Sequence, residues 1–458
     1  MKPNLAVRQQ VRNEIEKQGY SLSQLSQISG INRGVLSATL GDKPTKAMSI
    51  NQLDRMTEAL CKPLNWLYES FITECLQDNS KMNWRRIRSV LIRCAENNYE
   101  QGLHQILSLL PTEPLHLEQL LQLAEFLQTD YKHFVMPIYD FIIKHERNNH
   151  CERLAIAKYR IFDSTPDESV EQNARAAFAF KPYCYHLPEH LMLDALSKLA
   201  SIFYTVRDWD NLLYCGKQSQ KLSHLIYERQ CALKRKNLPV PSLKAKRPLV
   251  VYYGQSYLTQ FAVMEWTGRY KEAEVLLTKF SDLSWFEGLD SNSYHEVEKL
   301  TVFAKCNFYN LKLLQGDGSI LKEYQCYLKK NPDEILASIG VMLKASNIHF
   351  YNIDHILKDF ENEIFSKDIE NWITPQSGNI PSHVRIPVLI NRYIRIYYHL
   401  AIYYLNRQIH DHKLDKVIIA LENSLKNYDS QRAIDCLHLL QKINKFKNKA
   451  NLVKSEDC

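Results

Sequence analysis

The segment SLSQLSQISGINRGVLSATLGDK, residues Ser21–Lys43, predicts two short helices joined by a tight turn. Ser21 is followed three residues later by Gln24, a spacing typical of a capping box at the start of a helix. Gly30 then supplies a residue that tolerates positive φ at the turn, and Asn32 is a good N-cap for the next helix. This arrangement leaves one face of the second helix of the pair exposed.

Three further helices are predicted around this pair. Residues 5–18 have apolar side chains at helical spacing, and Gly19 ends that helix. Ser49 is expected to cap a fourth helix, and Pro63 to begin a fifth that ends near Phe71. The apolar faces of the five helices predict a core formed by Val7, Val11, Ile15, Leu22, Leu25, Ile28, Val35, Leu36, Leu40, Leu53, Met56, Leu60, Trp66 and Leu67.

These residues resemble the Xre/Cro-type helix-turn-helix, with two closing helices that reach about Phe71. The resemblance implies that the third helix enters the major groove of double-stranded DNA. Many members of the family carry a glutamine just after the cap of the second helix, whereas this chain has Leu22 there. A helical hairpin without a DNA-binding role is the alternative interpretation.

The resemblance places a groove-facing side on the third helix, formed by Asn32, Arg33, Gly34, Ser37 and Ala38. Arg33 is the best candidate for reading a base, because a guanidinium pairs with O6 and N7 of guanine. Lys43 and Lys46 lie just beyond the helix and suit phosphate oxygens, which contribute affinity without sequence information. For each of these residues, an ordinary solvated side chain is the alternative.

A basic stretch follows this predicted DNA-binding domain, which we assign to residues 1–73. We expect a connector helix over residues 74–95. Its basic residues either form a solvated face or contact the DNA backbone or a partner subunit. They are Lys81, Arg85, Arg86, Arg88 and Arg93.

A recurring joint between helices marks the rest of the chain. It consists of a polar pair, an aromatic residue, two further residues, and a small or apolar residue. It occurs as ENNYEQGL (Glu96–Leu103), QTDYKHFV (Gln128–Val135), VRDWDNLL (Val206–Leu213) and TGRYKEAE (Thr267–Glu274), with a glycine-bearing variant over Gln315–Pro332. The joints resemble the turn of the tetratricopeptide repeat, which implies a helical solenoid with a concave groove over residues 96–445 and a basic tail over 446–458. Because the later joints are unevenly spaced, an irregular helical bundle is the alternative interpretation of this region.

The composition agrees with an all-α chain. Only 13 glycines among 458 residues favour helices with short connections. The eleven cysteines include no C-x-x-C pair, so we expect reduced and mostly buried thiols. No apolar run reaches ~18 residues and no secretory signal is recognisable, so we expect a cytoplasmic protein without a membrane span. The net charge of +7 permits nucleic-acid binding without demonstrating it.

The sequence carries no recognisable signature of an enzyme. It has no phosphate-binding loop and no dinucleotide-binding glycine pattern, and His145 and His150 are too widely spaced for an H-E-x-x-H zinc motif. The tripeptide at 410–412, His-Asp-His, lies in a predicted turn. We therefore expect no catalytic residue, no metal site and no cofactor.

The combination of an Xre-type DNA-binding domain with tetratricopeptide-like helices resembles the peptide-responsive regulators of the Rap–Rgg–NprR–PlcR–PrgX group. The resemblance implies a homodimeric transcriptional regulator used in quorum sensing, in which a short signalling peptide changes the spacing of two DNA-binding domains. Polar residues on the first helices of the repeat pairs are candidate peptide ligands: Gln255, Glu265 and Asn310. Asn391 and Arg395, one turn apart in the predicted tyrosine-rich helix Ile390–Leu405, are further candidates. An ordinary polar contact on the surface or between helices is the alternative for each. Two alternatives stay open: the repeats bind another protein and no small ligand, or they serve only to dimerise the chain.

Overall fold

A computed structural model describes residues 3–41, 46–77, 83–165, 170–365, 386–408 and 414–419. Within these ranges the secondary structure is helical and contains no β-strand, so the predicted all-α class is confirmed for them. The chain divides into two units that each pack mainly within themselves: unit 1, residues 1–161, and unit 2, residues 162–458.

The helices of the two units follow each other with short connections. Those that begin in unit 1 are α1 (Pro3–Lys17), α2 (Leu22–Ser29), α3 (Arg33–Leu40), α4 (Ile50–Ala59), α5 (Tyr68–Gln77), α6 (Trp84–Glu96), α7 (Glu100–Leu109), α8 (Pro114–Leu127), α9 (Lys132–His145) and α10 (Glu152–Ser164). Those of unit 2 are α11 (Val170–Phe180), α12 (Glu189–Val206), α13 (Trp209–Arg235), α14 (Leu249–Trp266), α15 (Tyr270–Leu277), α16 (Ser291–Leu314), α17 (Leu321–Lys330), α18 (Ile335–His349), α19 (Asp354–Asp359), α20 (Glu361–Ile364) and α21 (Ile386–Asn406). Short 3-10 helices occupy Lys181–His186, Gly318–Ile320 and Pro332–Glu334, and residues 414–419 are also helical.

The caps predicted for the first helices are confirmed. Ser21 and Gln24 form both hydrogen bonds of a capping box at the start of α2, and the C-cap Gly30 adopts a φ of 66°. Asn32 caps α3 with its side chain, and Ser49 begins α4 with a second capping box. Each cap satisfies a backbone N–H that a helix cannot pair internally, so these residues fix where α2, α3 and α4 begin.

Most of the predicted core of the first five helices is buried. Ile28 is the exception, since 50% of its surface is exposed. The buried side of the eight-residue α2 consists of Leu25 and Ser29, which lie one turn apart, and Ile28 lies beside that line. Leu22, Val35, Trp66 and Leu67 are half-buried.

The fifth helix begins at Tyr68 and not at Pro63 as predicted. Leu67 has a φ of 64°, a left-handed conformation that no α-helix accommodates, so the segment after Pro63 forms a turn. The hydroxyl of the buried Tyr68 then donates to Asp54 at 2.5 Å, and its ring packs edge-on against Tyr99 at 5.8 Å. These interactions join α5 to α4 and to the residue before α7.

The basic residues of α6 have different surroundings. Arg86 donates to the buried carboxylate of Glu74 at 2.9 Å, and Arg93 pairs with Asp54 at 2.8 Å. These two arginines therefore stabilise the packing of α6 on α5 and α4 within unit 1. The exposed members of the stretch are Arg85 and Arg88, while Lys81 lies outside the described residues.

The four short joints lie between consecutive helices, and this expectation is confirmed, whereas the longer range Gln315–Pro332 contains the whole of α17. The joint between α6 and α7 shows why a small residue is needed there. A Cβ added to Gly102 would lie 2.6 Å from the ring of Tyr99 and 2.9 Å from the sulfur of Cys94. The aromatic residue of this joint therefore packs where any larger residue at 102 would collide with it.

Unit 2 is built from packed helical pairs. Helix α12 packs on α13, α13 on α14, α14 on α15, and α16 on α14, α15 and α18. Helix α21 packs along α18 and also touches α12, so helices distant in sequence meet around an interior space. The predicted limits at residues 73, 95 and 445 stay predictions, and the predicted tail over 446–458 lies outside the described residues.

Candidate functional site

The turn between α2 and α3 is held by serine hydroxyls. Ser26 donates to the carbonyl of Ile31 at 2.6 Å, and Ser29 donates to the carbonyl of Leu25 at 2.6 Å. The Ser29 oxygen also accepts the backbone N–H of Ile31 at 3.3 Å. With Gly30 at its left-handed position, these bonds fix the direction in which α3 leaves the turn.

Helix α3 has one buried side and one exposed side. Leu36 and Leu40 are buried, whereas Arg33 and Ser37 are exposed and lie one turn apart. Ala38 is half-buried. The exposed side therefore offers a guanidinium and a hydroxyl, groups that can donate hydrogen bonds to base edges or phosphates.

Two of the predicted DNA contacts also shape the start of α3. Asn32 is exposed, and its Oδ1 accepts the backbone N–H of Gly34 at 2.8 Å. A Cβ at Gly34 would lie 3.1 Å from that oxygen, so glycine leaves room for the cap. The Asn32 amide nitrogen is the part of that side chain left to contact DNA.

The far end of α3 is joined to α1. Arg12 donates to the carbonyl of Leu40, and Arg8 donates to the carbonyl of Lys46 at 3.0 Å. The backbone N–H of Lys46 reaches the carbonyl of Ala38 at 3.3 Å. Lys46 is thus exposed on a segment tied to both α1 and α3, whereas Lys43 lies outside the described residues.

Unit 2 contains a cavity of about 520 Å³. Residues of α12, α13, α14, α16, α18 and α21 line it, together with residues of the connections between helices. This volume lies in the range of ~300–1,000 Å³ that is usual for ligand pockets. This partly open space between the helices of unit 2 is therefore large enough for a ligand.

Four of the five predicted peptide ligands line this one cavity: Gln255, Glu265, Asn310 and Arg395. The side chain of the fifth, Asn391, lies outside those described. Asn310 is buried, and its Oδ1 accepts the hydroxyl of Tyr324 at 2.9 Å, which leaves its amide nitrogen as the donor for a ligand. Residues chosen on separate helices are therefore brought together by the fold.

The cavity is also lined by residues outside the predicted set of peptide ligands. Trp209 and Trp266 stack with ring centroids 5.3 Å apart and form a flat apolar wall. Asn307, one turn before Asn310 on α16, adds another amide. Arg207 at the end of α12 adds a guanidinium. The recurring joint contains both Trp209 and Arg207, but its pattern does not reveal which side chains face inward.

Three ionisable groups have shifted pKa values: Glu334 in the cavity lining, and Lys344 and His399 outside it. Burial raises the pKa of Glu334, against the opposing attraction of the Arg392 guanidinium. Burial lowers the pKa of Lys344, and the nearby Arg395 guanidinium lowers it further. Burial, with repulsion from Arg395, Lys344 and Arg207, lowers the pKa of His399 to about 3. All three shifts have burial as their largest cause, and the lysine and histidine shifts also reflect crowded positive charge.

Other chemistry is limited in the part of the chain that the structure describes. It contains no cluster of histidine, cysteine, aspartate and glutamate that could hold a metal ion, and the 410–412 tripeptide lies outside it. None of its helices is long and apolar enough to cross a membrane. Of its cysteines, Cys61 and Cys326 are exposed, Cys151 is half-buried and the others are buried.

Comparison of the chain with profiles of protein families, with curated proteins and with solved structures gave no match.

Proposed function

We propose that this chain is a sequence-specific DNA-binding regulator of transcription, in which α3 reads the major groove and the cavity of unit 2 binds a short peptide. The observation that carries the proposal is the exposed side of α3, with Arg33 and Ser37, on a turn fixed by capping bonds. A short rigid helix presented in this way suits the major groove, which admits one α-helix. The resemblance to Xre/Cro-type proteins belongs to this proposal.

The peptide part of the proposal is supported by the chemistry of the cavity. An extended peptide presents alternating N–H and C=O groups, and amide side chains match both because they donate and accept. Gln255, Asn307 and Asn310 bring three such amides to one cavity. The Trp209–Trp266 wall offers an apolar surface for a side chain of the ligand. The tetratricopeptide-like repeats and the role in quorum sensing are part of the same proposal.

The chain acts as a homodimer in this scheme, because one helix-turn-helix makes too few contacts for tight specific binding. Peptide binding then favours one arrangement of the dimer and changes its affinity for DNA. Light scattering of the full chain, with and without DNA, measures the oligomeric state directly. A monomer at all concentrations that saturate DNA would exclude this scheme.

The test of DNA binding is selection of duplexes from a random library with the full chain at physiological salt. We expect enrichment of a motif with two half-sites, each reduced in information when Arg33 is replaced by alanine. Binding to all duplexes alike, with a steep salt dependence and no enriched motif, would show a nonspecific polycation effect and would contradict the proposal.

The alternative function is a regulator whose helical region binds another protein and no small ligand. Exposed aromatic residues on unit 2, among them Trp285 (52%) and Tyr294 (55%), favour this alternative. Single exposed apolar residues are nevertheless common on protein surfaces, whereas an interior cavity lined by amides is a specific feature. The cavity therefore favours the small ligand.

A further inference from the structure

Positive charge is crowded around Trp266, a residue of the cavity lining in unit 2. The guanidinium carbon of Arg395 lies 4.4 Å from the ring centroid of Trp266, and that of Arg207 lies 5.0 Å from it. The ammonium nitrogen of Lys344 lies 5.5 Å from the same centroid. We call these three residues the Trp266 cation group. A tryptophan face attracts each cation, but it does not neutralise their mutual repulsion.

Glu265 is the acidic neighbour that Arg395 and Lys344 share. Its Oε1 lies 3.5 Å from Nη2 of Arg395, and its charge acts on Lys344 as well. The Glu265 residue is only 6% exposed. One carboxylate beside two cations leaves positive charge in a half-buried place where water screens it poorly.

The polar atoms at this point are not satisfied by hydrogen bonds. The buried Nε and Nη2 atoms of Arg395 and the buried Oε1 of Glu265 have no hydrogen-bond partner among the described residues. The Nε and Nη2 atoms of Arg395, which form no hydrogen bond, present two N–H groups on one edge of a planar guanidinium, and such an edge matches the two oxygens of a carboxylate. Because buried donors that lack a hydrogen bond are costly, this edge of Arg395 is suited to a further acceptor such as the carboxylate of a ligand.

The charged residues of the whole cavity lining are also mainly positive. Four arginines line the cavity, Arg207, Arg247, Arg392 and Arg395, against two glutamates, Glu265 and Glu334. The arginines therefore outnumber the glutamates in the lining. An anionic ligand is therefore attracted to this cavity.

The geometry points to a carboxylate-binding subsite, formed in the cavity lining by Arg395 beside Trp266, that takes the C-terminal carboxylate or an acidic side chain of the bound peptide. Lys344 lies outside the lining and adds positive charge from there. A monoanionic carboxylate fits better than a phosphate dianion, because Glu265 lies within 3.5 Å of Arg395 and repels the second negative charge. The amides of Gln255 and Asn307 line the same cavity and suit the peptide groups of the rest of the ligand. The subsite rests on the proposed function, since it assumes that the ligand is a peptide.

The first test uses the full chain and three pools of synthetic heptapeptides. One pool has free C-termini, one is C-terminally amidated, and one is amidated and lacks aspartate and glutamate. Affinity selection with mass spectrometry identifies binders, and calorimetry gives their Kd. We expect binders to lose about 10- to 100-fold in affinity when their carboxylate is removed. Loss on amidation assigns the carboxylate to the C-terminus, and loss on replacing an acidic residue assigns it to a side chain.

The second test compares variants that change the subsite in opposite directions. Arg395→Gln should weaken a carboxylate-bearing peptide by about 10- to 100-fold and its carboxylate-free counterpart by less than about 3-fold. Glu265→Gln should instead strengthen the carboxylate-bearing peptide, because it removes the competing internal anion. Arg229→Gln is the matched control, since Arg229 is an exposed arginine of unit 2 paired with Glu189 and does not line the cavity. If Arg395→Gln fails to fold, the change in affinity of Glu265→Gln alone tests the subsite. A gain in affinity supports the subsite, because loss of a merely structural Glu265–Arg395 ion pair would weaken peptide binding.

The outcomes separate the subsite from the proposed function. Peptides that bind equally well with and without a carboxylate would overturn the subsite and leave peptide sensing intact. Absence of binders from all three pools would overturn both. Displacement of a selected peptide by inorganic phosphate, but not by acetate, would mark a phosphate site and overturn the carboxylate assignment.

Discussion

Arg33 and Lys46 are both exposed in unit 1, but they are expected to contribute differently to DNA binding. Arg33 begins α3, where side chains of this type of helix meet base edges, and a bidentate arginine–guanine pair discriminates by about 1–3 kcal/mol. Arg33→Ala should therefore relax specificity at one position of each half-site. Lys46→Ala should weaken binding to all sequences alike and reduce the salt slope by about one unit for each phosphate that it no longer neutralises.

Titration of both variants on selected and random DNA at several salt concentrations checks this difference. Equal losses on selected and random DNA for Arg33→Ala would mean that Arg33 binds phosphate, and the groove-facing side of α3 would be assigned wrongly.

Asn310 is the predicted peptide ligand whose surroundings are best defined. Its oxygen is held by Tyr324, so its amide nitrogen is fixed in place before a ligand arrives. Asn310→Ala should reduce peptide affinity by about 1–3 kcal/mol and leave DNA binding without peptide unchanged. Asn292→Ala on the same helix is the control, because Asn292 is exposed and does not line the cavity. Calorimetry with a selected peptide measures both, and equal effects would remove Asn310 from the site.

Some residues of the cavity could be predicted from the sequence and others could not. Gln255, Glu265 and Asn310 were identifiable because their distance from a recognisable joint fixes the face of the helix on which they lie. Trp266 and Lys344 were not identifiable, because their proximity depends on how α14 and α18 each pack on α16. That packing is set by interactions between residues far apart in sequence, which no local pattern encodes.

Among the elements, the connection between α2 and α3 depends most clearly on a single residue for its stability. Gly30 has a φ of 66°, and no atom lies within 4 Å of a Cβ added there. The cost of Gly30→Ala is therefore conformational and should lower the stability of unit 1 by about 1–2 kcal/mol. Gly30→Asn is the control and should cost less, since asparagine tolerates this conformation. Chemical denaturation measures both, and equal stability of the alanine variant and the unchanged protein would refute the argument.

Element boundaries were predictable wherever a side chain caps a helix or a glycine ends it. The starts of α2, α3 and α4 follow from Ser21, Asn32 and Ser49, whose side chains bond to the backbone nearby. The start of α5 was not predictable, because Leu67 adopts a positive φ although it is neither glycine nor asparagine. Leu67 is followed by the buried Tyr68, whose position depends on Asp54 and Tyr99 from other elements.

For the chain as a whole, the neutral His399 makes stability depend on pH. Its pKa in the folded chain is about 3, well below the ~6.5 of an unfolded histidine. The unfolded state therefore binds this proton more readily, and stability falls as the pH drops below about 6.5, by about 2 kcal/mol at about pH 5. Burial is the largest cause of this lowered pKa, and repulsion from Arg395, Lys344 and Arg207 adds to it.

Calorimetric unfolding of the full chain between neutral and mildly acidic pH tests this dependence. His399→Asn should flatten the pH profile of the transition that belongs to unit 2, whereas His295→Asn should leave it unchanged, because His295 is an exposed histidine of the same unit. Identical profiles for His399→Asn and the unchanged chain would show that His399 does not carry the effect.

The stacked pair Trp209 and Trp266 gives the protein an optical property of its own. Two indoles 5.3 Å apart exchange excitation energy, and the wavelength that each emits depends on nearby charges, three of which surround Trp266. A molecule that enters the cavity meets this wall and alters both the local charge and the local polarity. The intrinsic fluorescence of the chain is thus a built-in reporter of occupancy, readable at micromolar concentration without a label and in the same cuvette in which operator DNA is added.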